Sequence, residues 1–411
     1  MKYARFSPRQ TLTLTWWKRP EFAEYDGILC DGSIRSGKTV SMAVGFILWS
    51  MYSFDNESFA ICGRTIESLR RNVIVHLPSW LEGLFKVTER RAENKLIISV
   101  GGRSNTYYLF GGRDESSYTL VQGMTLAGVL FDEVALMPRS FVEQALARCS
   151  VAGSKFWFNC NPEGPMHWFY REWVLAYKEK NVLHLHFTMA DNLSLSEKIK
   201  QRYEGMYTGV FYARYILGKW TKAEGLVYPF FDPSVHLVDY NADKLSGRFF
   251  VSCDYGTINP CVFGLWHVKG ASAVMVKEYY FDSRKKGRQK TDEEYYKDLE
   301  AFVGDYPIEQ IIIDPSAASF KETIRRHGKF SVRNANNEVL DGIRNTSTLL
   351  KAGLLKFDKS CVNTRAEFGA YAWDEKSSVD AVIKENDHSM DQMRYLVQTV
   401  LRREVKMNGI K

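Results

Sequence analysis

One octapeptide, Gly32-Ser33-Ile34-Arg35-Ser36-Gly37-Lys38-Thr39, fits the phosphate-loop pattern G-x-x-x-x-G-K-[ST] at every fixed position. The short apolar run 27–30 precedes it and predicts a buried strand, and the long apolar run 40–49 follows it and predicts a buried helix. A phosphate loop requires this order, because it brings backbone N–H groups to the N-terminus of a helix. The alternative, an incidental glycine turn, gives no reason for the two apolar flanks.

The residues of the loop predict binding of ATP with Mg²⁺. Backbone N–H groups would surround the phosphates, Lys38 would reach the β- and γ-phosphates, and the Thr39 hydroxyl would ligate Mg²⁺. Arg35 is the first choice for a charge that stabilises the transition state, ahead of Arg64 and Arg148. A structural contact within the loop explains Arg35 nearly as well.

A second motif supplies the acids that a phosphate loop needs. The apolar run 125–131 ends in Asp132-Glu133, which predicts a strand with two carboxylates at its end. Asp132 would hold Mg²⁺, and Glu133 would polarise the attacking water. Acids also favour helix N-termini, which is the alternative explanation. A nucleotide switch needs only the metal ligand, whereas a motor also needs a base, so the pair favours ATP hydrolysis.

The composition of the 411 residues indicates a large globular protein. Its length favours two domains. Hydrophobic residues make up 45% of the chain and aromatic residues 14%, which is enough for two hydrophobic cores. A net charge of +7 and an isoelectric point of about 8.8 favour a polyanionic partner. Seven cysteines without C-x-x-C spacing predict buried thiols of a reducing compartment. No signal sequence or bilayer-length apolar run occurs, which predicts a cytosolic protein without a membrane partner.

The first half alternates strand-like and helical runs. This order predicts an α/β fold with a mostly parallel sheet and the nucleotide at its carboxyl edge. The run 66–84 predicts a helix with a break at Pro78, and the run 212–220 predicts a helix that closes the domain. Two prolines in 227–233 favour an extended linker. The sequence therefore predicts an ATPase domain at 1–222, a linker at 223–235 and a second domain at 236–411.

The second half has its own acidic constellation. Two apolar runs end in Asp254 and Asp314, with an antiparallel meander between them, and a late helix presents His388 and Asp391 on one face. Three carboxylates from two strand ends and one helix could hold two divalent ions about 3.5–4 Å apart, the arrangement used for phosphodiester cleavage. This layout predicts a ribonuclease-H-like α/β nuclease with a mixed sheet.

Simpler explanations stay open for these residues. An aspartate at a strand end is often only a turn residue. His388 is explained about as well by a solvent-facing helix start as by metal ligation or protonation of the leaving group. Asp387 competes with Asp391 for the ligand position on the helix. Oxygen ligands suit Mg²⁺, whereas an imidazole shifts preference toward Mn²⁺, so we expect Mn²⁺ to support cleavage.

One dense basic run, Arg284-Lys285-Lys286-Gly287-Arg288-Gln289-Lys290, lies between two strand-like segments. Such a run is usually a solvated loop, and contact with DNA explains it equally well here.

The order of these motifs resembles the large terminase subunit of tailed double-stranded DNA phages, and most closely its PBSX-type group. The resemblance covers nearly the whole chain. Three ATPase motifs are included: the phosphate loop at 33–39, a second motif at 130–133, and a third motif, which couples hydrolysis to movement, at 158–165. The domain junction lies at 215–220 with 224–228, and three nuclease motifs lie at 254–256, 313–315 and 387–395. Residues 6–10 are similar to an adenine-reading motif, which adds Gln10 to the nucleotide-binding residues. The third motif has Cys160 where a hydroxyl residue is expected.

The resemblance implies a protein that cuts concatemeric viral DNA and pumps double-stranded DNA into the procapsid through the portal protein. It also implies a small terminase subunit as partner and self-assembly as a ring on the procapsid, in the host cytoplasm. Packaging works against DNA bending and charge repulsion, which suits repeated ATP hydrolysis. A weak positive charge suits DNA that must slide, because each neutralised phosphate strengthens binding.

Two other classes of protein share some of these features. A helicase-like DNA translocase with a fused nuclease, acting in repair, would carry further helicase motifs between residues 150 and 230, and we find none. A non-enzymatic scaffold with a decayed nucleotide site would have lost Lys38 or Glu133, and both are intact.

Overall fold

The computed structural model describes residues 5–207, 209–240, 247–377 and 379–402. The chain divides into two compact units, the first made of Met1–Glu204 and Gly209–Lys222 and the second of Gly205–Thr208 and Ala223–Lys411. Each unit is built on its own β-sheet. Within the described ranges, no helix is long and apolar enough to cross a membrane.

The first unit contains eight strands and the helices that cover them. The strands are β1 (Gly27–Gly32), β2 (Ser58–Gly63), β3 (Lys86–Arg90), β4 (Lys95–Val100), β5 (Arg103–Gly111), β6 (Gly128–Asp132), β7 (Lys155–Asn159) and β8 (Val182–Phe187). The α-helices are α1 (Pro8–Thr15), α2 (Lys38–Ser53), α3 (Ile66–Leu69), α4 (Leu77–Trp80), α5 (Arg139–Ala147), α6 (Glu197–Met206) and α7 (Gly209–Phe211). Turns of π-helix lie at Arg70–Ile74, Tyr170–Val174 and Tyr212–Ile216, and 3₁₀ turns at Trp16–Lys18, Pro20–Phe22, Arg91–Glu93, Glu115–Val121, Val134–Leu136 and Met189–Asp191.

The sheet of the first unit is mostly parallel, as predicted. Its strand order is β3-β4-β5-β2-β6-β7-β1-β8, and every pair from β5 to β8 is parallel. Only β3, β4 and β5 pair antiparallel, and the hairpin between β4 and β5 turns through Gly101 and Gly102, both with positive φ. All six residues of β1 are buried, which is the pattern of a central strand covered on both faces.

Two predicted helices differ from the structure. The run 66–84 is split into α3, a π-helical turn and α4, and Pro78 lies near the start of α4, where its missing N–H costs no helical hydrogen bond. The run 212–220 is helical only to Ile216, and the chain then turns through Gly218 with φ of 69°. Apolar spacing alone cannot locate these ends, because the residues that follow are held by contacts distant in sequence.

The second unit has a seven-stranded sheet of mixed direction, as the predicted fold class requires. Its strands are β9 (Leu237–Val238), β10 (Arg248–Asp254), β11 (Cys261–Lys269), β12 (Ser272–Phe281), β13 (Ile308–Ile313), β14 (Val332–Asn334) and β15 (Leu355–Asp358), in the order β14-β13-β10-β11-β12-β15-β9. Its helices are α8 (Pro233–His236), α9 (Ser283–Lys286), α10 (Asp292–Val303), α11 (Ala318–His327), α12 (Val339–Lys351), α13 (Val362–Phe368) and α14 (His388–Leu396), the last continued by a π-helical turn at Val397–Leu401. The β10-β11-β12 meander is antiparallel, and the other pairs are parallel.

The segment 223–235, where the sequence predicts a linker, packs inside the second unit. The Val227 N–H donates to the Tyr371 carbonyl (2.9 Å), and the side chains of Val227 and Tyr228 are buried. The Phe231 ring stacks on Phe368 with ring centres 3.9 Å apart. The prediction of an extended linker is wrong at its end, because α8 begins at Pro233, where a proline is tolerated in the first turn of a helix. The aromatic residues between the prolines bury apolar surface, so the segment is irregular and packed.

All seven cysteines are free, and all except Cys149 are buried. Burial raises the pKa of Cys30 to about 12 and raises that of Cys160 well above its usual range.

Candidate functional sites

Three neighbouring strand ends carry the residues of the first site. The sheet order places β7 between β6 and β1. Asp132 is in register with Asn159, and Asn159 is in register with Cys30 near the end of β1. Because parallel strands end at the same edge, the loop that follows β1 lies beside the acidic end of β6.

Lys38 is folded back onto its own loop. Its Nζ donates to the carbonyl oxygens of Gly32 (3.1 Å) and Ser33 (2.7 Å), to Ser36 Oγ (3.2 Å) and to Asn161 Oδ1 (3.2 Å). Burial lowers the pKa of Lys38 to about 8. All four hydrogen-bond partners are neutral, so a phosphate oxygen would give this buried ammonium group a charged partner in direct contact.

Thr39 and Asp132 have the donor set of a magnesium site. Thr39 Oγ1 lies 3.4 Å from Asp132 Oδ1, which also accepts a hydrogen bond from Asn159 Nδ2 (2.9 Å). Burial raises the pKa of the Asp132 carboxyl. A hydroxyl and a carboxylate next to a phosphate-binding loop fit Mg²⁺, which takes oxygen ligands and relieves the cost of a buried charge.

Glu133 combines a strained backbone with a perturbed side chain. Its φ is 60°, in the left-handed region that disfavours residues with a side chain. Burial, and then the Asp132 carboxylate, raise the pKa of Glu133 to about 7 against the opposing charges of Lys38, Arg64 and Arg71. A carboxylate with a raised pKa is a better proton acceptor, which suits a general base.

The three candidate arginines lie in different surroundings. Arg35 is exposed, with φ of 56°, and its guanidinium lies 5.4 Å from the ring centre of Tyr203. The register of β2 with β6 pairs Cys62 with Phe131, so Arg64 follows its strand beside Glu133. The Arg148 carbonyl accepts from the Leu126 N–H, which places Arg148 near the start of β6, at the edge away from the loop.

Gln10 lies against the phosphate loop. Ser7 caps α1, and Gln10 in the first turn completes the capping box, because its Oε1 accepts from the Ser7 N–H (3.0 Å). Gly37 has φ of 86°, in the left-handed region that favours glycine, and a Cβ built there would come within 2.1 Å of Gln10 Nε2. The Gln10 side chain is thus fixed next to the loop, with its amide nitrogen toward Gly37.

The second site lies where β10 and β13 end. These strands are parallel neighbours, and Cys253 is in register with Ile313, so Asp254 and Asp314 follow side by side. The Tyr395 hydroxyl on α14 lies 2.9 Å from Asp314 Oδ2 and 3.4 Å from Asp254 Oδ1. One phenol group therefore bridges the two carboxylates.

His388 joins the same group of side chains. Its Nδ1 lies 2.8 Å from Asp254 Oδ2. Burial lowers the pKa of His388, but the hydrogen bond to Asp254 and its charge outweigh burial and raise it overall. The pKa of Asp254 is raised by burial first, with Asp391 adding to the rise and the His388 hydrogen bond opposing it. A divalent cation would relieve this accumulation of negative charge.

Asp391 contacts basic residues instead. Its Oδ1 forms an ion pair with Arg394 Nη2 (2.8 Å), and its Oδ2 lies 3.5 Å from Lys384 Nζ. The competing Asp387 also lies near Lys384, at 3.4 Å. The structure thus joins Asp254, Asp314 and His388 by hydrogen bonds through Tyr395 and His388, whereas Asp391 and Asp387 pair with cations.

The donor set of the second site suits Mg²⁺ or Mn²⁺, since it consists of carboxylates and one imidazole. Within the described part of the chain, however, no group of three or more His, Cys, Asp or Glu side chains is arranged to hold a metal ion. A bound ion would have to replace the hydrogen bonds from Tyr395 and His388. The carboxylate oxygens of Asp254 and Asp314 would then move toward the ion.

Sequence reasoning missed Glu367, which supports the second site. This buried carboxylate accepts from the N–H groups of Ser389 (2.7 Å) and Met390 (3.3 Å) at the start of α14, and from the Tyr280 hydroxyl (3.0 Å). Burial raises the pKa of Glu367 to about 7. No local pattern marks this residue, because its partners lie 22 or more positions away. Tyr395 was missed in a similar way, although it lies within the last nuclease motif.

The basic run is largely paired within its own unit. Lys285 contacts Asp282 (3.5 Å), Arg288 contacts Glu294, and Lys290 contacts Asp298. Arg284 Nη2 donates to Asn259 Oδ1 (2.9 Å), in the loop that follows Asp254. The run therefore contacts the loop that follows Asp254, and much of its charge is already compensated.

Comparison with known proteins identifies relatives over nearly all of the chain. Residues 29–234 match a protein family described as terminase large subunit, T4likevirus-type, N-terminal. A solved structure of the large terminase from a thermophilic bacteriophage is 50% identical, with a TM-score of 0.91, covering 97% of this chain and all of that one. Structures of the same protein with ADP and with ATP-γ-S are each 49% identical, with TM-scores of 0.88 and 0.87.

A curated relative is more distant. The large terminase subunit of Escherichia phage T5 is 20% identical over 298 residues, which span 67% of this chain and 65% of that protein. The chain therefore spans only about two thirds of the length of this relative.

Proposed function

The chain belongs to the terminase large subunit family, and from this membership we propose that it is a DNA-packaging motor that hydrolyses ATP and also cuts DNA. We assign the motor to residues 1–222 and the nuclease to 236–411, with 223–235 as the junction. The observation that carries the proposal is the presence of two separate sites, one at the carboxyl edge of each sheet.

For ATP hydrolysis, we assign binding of the phosphates to the loop 32–39 and to Lys38. The bound ADP and ATP-γ-S in the terminase of the thermophilic phage, which is 49% identical, support this assignment. Lys38 would exchange its four neutral oxygen partners for phosphate oxygens, and Thr39 with Asp132 would hold Mg²⁺, which supplies charge neutralisation. Glu133 would accept the proton of the attacking water, because its raised pKa makes it more basic than an ordinary carboxylate.

For DNA cleavage, we assign the metal ligands to Asp254, Asp314 and His388, with Asp391 as a further ligand once it leaves Arg394. A divalent ion, Mg²⁺ or Mn²⁺, would supply an activated water and stabilise the leaving oxygen. The chain itself would align the two carboxylates at adjacent strand ends and fix His388 at the start of α14. Because Asp391 would have to leave Arg394 first, the complete nuclease site would form only when a metal ion binds.

In the phage cycle, we propose that the chain moves double-stranded viral DNA into the procapsid and cleaves concatemers. Its partners would be double-stranded DNA, the portal protein, the small terminase subunit and further copies of itself in a ring, in the host cytoplasm. Family membership disfavours the alternative of a helicase-like translocase of DNA repair.

The proposal is tested with the purified full chain. We expect ATP hydrolysis that requires Mg²⁺, and cleavage of both linear and circular DNA that requires Mg²⁺ or Mn²⁺ and stops with a chelator. Cleavage of circular DNA identifies an endonuclease, because an exonuclease needs an end. Absence of ATP hydrolysis in the presence of DNA would contradict the motor, and metal-independent cutting would contradict the nuclease assignment.

A further inference from the structure

The segment 214–221 ends the first unit and leads into the second, and we call it the exit segment. Apart from its resemblance to the domain junction of the family, no role has been assigned to it above. It nevertheless contacts the nucleotide site at three points, each described below.

The first contact joins the exit segment to the backbone of the phosphate loop. The Ile34 N–H donates to the Tyr215 carbonyl (2.8 Å). The φ of Gly218 is 69°, which favours glycine, and a Cβ built there would lie 3.0 Å from the Ser33 nitrogen, so a side chain would have little room. The exit segment thus lies directly against the first half of the loop.

The second contact involves Asp31, the residue before the loop. Trp220 Nε1 donates to Asp31 Oδ2 (2.7 Å), while Asp31 Oδ1 contacts His184 Nε2 (2.8 Å) and His186 Nδ1 (2.9 Å). Asp31 is only 1% exposed, so its carboxylate depends on these partners. The Trp220 ring also stacks on Tyr170, with ring centres 4.8 Å apart.

The third contact reaches the loop after β7. Arg214 is 2% exposed, and its Nε donates to the Thr221 carbonyl (3.0 Å) while its Nη1 lies 3.6 Å from Glu163 Oε2. Glu163 follows Asn161 by two residues, and Asn161 accepts a hydrogen bond from Lys38. A short chain of contacts therefore joins Lys38 to the end of the first unit.

These contacts connect the exit segment to two parts of the site that would rearrange around a bound nucleotide, the phosphate loop and the loop after β7. Lys38 has to leave Asn161 to reach a phosphate, which frees the loop carrying Glu163. The backbone of the phosphate loop, held at Asp31 and Ile34, must adjust around the phosphates at the same time. We propose that the conformation of the exit segment depends on which nucleotide occupies the site. Trp220 is then the positioning residue that fixes the exit segment to Asp31. The proposal rests on the nucleotide binding proposed above.

The test is hydrogen–deuterium exchange of the full chain, without nucleotide, with ADP and with ATP-γ-S. We expect nucleotide to change exchange in peptides covering 212–222 by about fivefold, because opening of this segment depends on its contacts with the loop. In Trp220→Phe, which keeps an aromatic ring on Tyr170 but removes the N–H donor, the difference between the states should disappear. Trp17→Phe is the matched control, since it also loses an indole hydrogen bond, to the Leu14 carbonyl, outside the nucleotide site.

A purely structural Trp220 would give a different result. Its loss would raise exchange equally with and without nucleotide and leave the difference intact, and that outcome would overturn the proposal. Glu163→Gln tests the third contact separately and should weaken the response without abolishing it. Binding of a fluorescent ATP analogue is measured in parallel. Failure of wild-type protein to bind it would refute the proposed function, whereas binding with an unresponsive exit segment would refute this inference alone.

Discussion

Arg35 and Glu133 share a left-handed backbone conformation, with φ of 56° and 60°. In the described ranges, the other non-glycine residues with positive φ are all asparagines, at positions 56, 94, 181 and 386. Asparagine tolerates this region, whereas other side chains carry a strain of about 1 kcal/mol or more. The two exceptions lie in the phosphate loop and at the acidic strand end, so the strain is concentrated where we place ATP hydrolysis.

The first prediction separates the chemistry of Glu133 from its strain. Glu133→Gln should bind ATP but lower turnover by about 100-fold, the scale of a lost general base. Glu133→Asn should be equally inactive, yet raise the free energy of unfolding by about 0.5–1 kcal/mol relative to Glu133→Gln, because asparagine fits the left-handed backbone. Turnover and thermal unfolding measure the two effects. Near-normal turnover in Glu133→Gln would remove Glu133 from the role of base.

The second prediction compares Arg35 with Arg64. If Arg35 stabilises the transition state, Arg35→Ala should lower turnover by about 100-fold or more while ATP affinity changes little. Arg64→Ala is the informative comparison, because Arg64 follows β2 beside Glu133. Steady-state ATP hydrolysis with an equilibrium binding assay distinguishes them. Full turnover in Arg35→Ala would leave Arg35 as a loop contact, packed near Tyr203.

The third prediction concerns the metal site. Asp254→Ala should abolish DNA cleavage and leave ATP hydrolysis unchanged, because the two sites lie in separate units. Cleavage by the wild-type chain should be stronger with Mn²⁺ than with Mg²⁺ if His388 is a ligand, and His388→Ala should reduce that preference. A plasmid-nicking assay with each metal measures both effects. Cutting that persists in Asp254→Ala would place the nuclease site elsewhere.

The fourth prediction concerns Glu367. Removing its carboxylate in Glu367→Ala leaves two buried N–H groups at the start of α14 without an acceptor, at a cost of about 1–3 kcal/mol. His388 lies at that helix start, so we expect cleavage to fall by about tenfold or more through misplacement. Thr291→Ala removes a helix cap elsewhere in the same unit and is the control for stability. Equal loss of cleavage in both variants would reduce Glu367 to a general stabilising role.

The fifth prediction tests the basic run. Arg284 and Lys286 have no acidic partner among the described residues, whereas Lys285 and Arg288 do. If the run contacts DNA, replacing Arg284 and Lys286 by alanine should lower the salt dependence of DNA binding by a slope of about 1–2. Replacing Lys285 and Arg288 should have a smaller effect, because their charges are already paired. Identical slopes in both double variants and the wild type would show a solvated loop.

The sequence predicted those features that local patterns specify. Strand, loop and helix around Lys38 follow from apolar runs and glycines, and the two acidic strand ends follow from the same reading of Asp132 and Asp254. Parallel pairing then brings such ends together, because all strands of a parallel sheet finish at one edge. The mixed sheet of the second unit follows from its central meander.

Features that depend on contacts distant in sequence were not predictable. Asp31 lies just outside the predicted strand 27–30 and carried no prediction, and only the folded sheet brings His184, His186 and Trp220 to it. The ion pair between Asp391 and Arg394 was not predicted either, although the residues are three apart on one helix, because spacing alone does not choose between a metal and a guanidinium as partner.

The buried cysteines have a practical consequence. A thiol reagent attacks the thiolate. Burial hides these sulfur atoms, and at Cys30 and Cys160 it also raises the thiol pKa and so suppresses ionisation. Alkylation of Cys30 and Cys160, which lie beneath the phosphate loop, therefore requires at least local opening of the first unit. The rate of thiol labelling at these two positions under native conditions therefore measures how often this part of the first unit opens, and it can be compared with and without nucleotide.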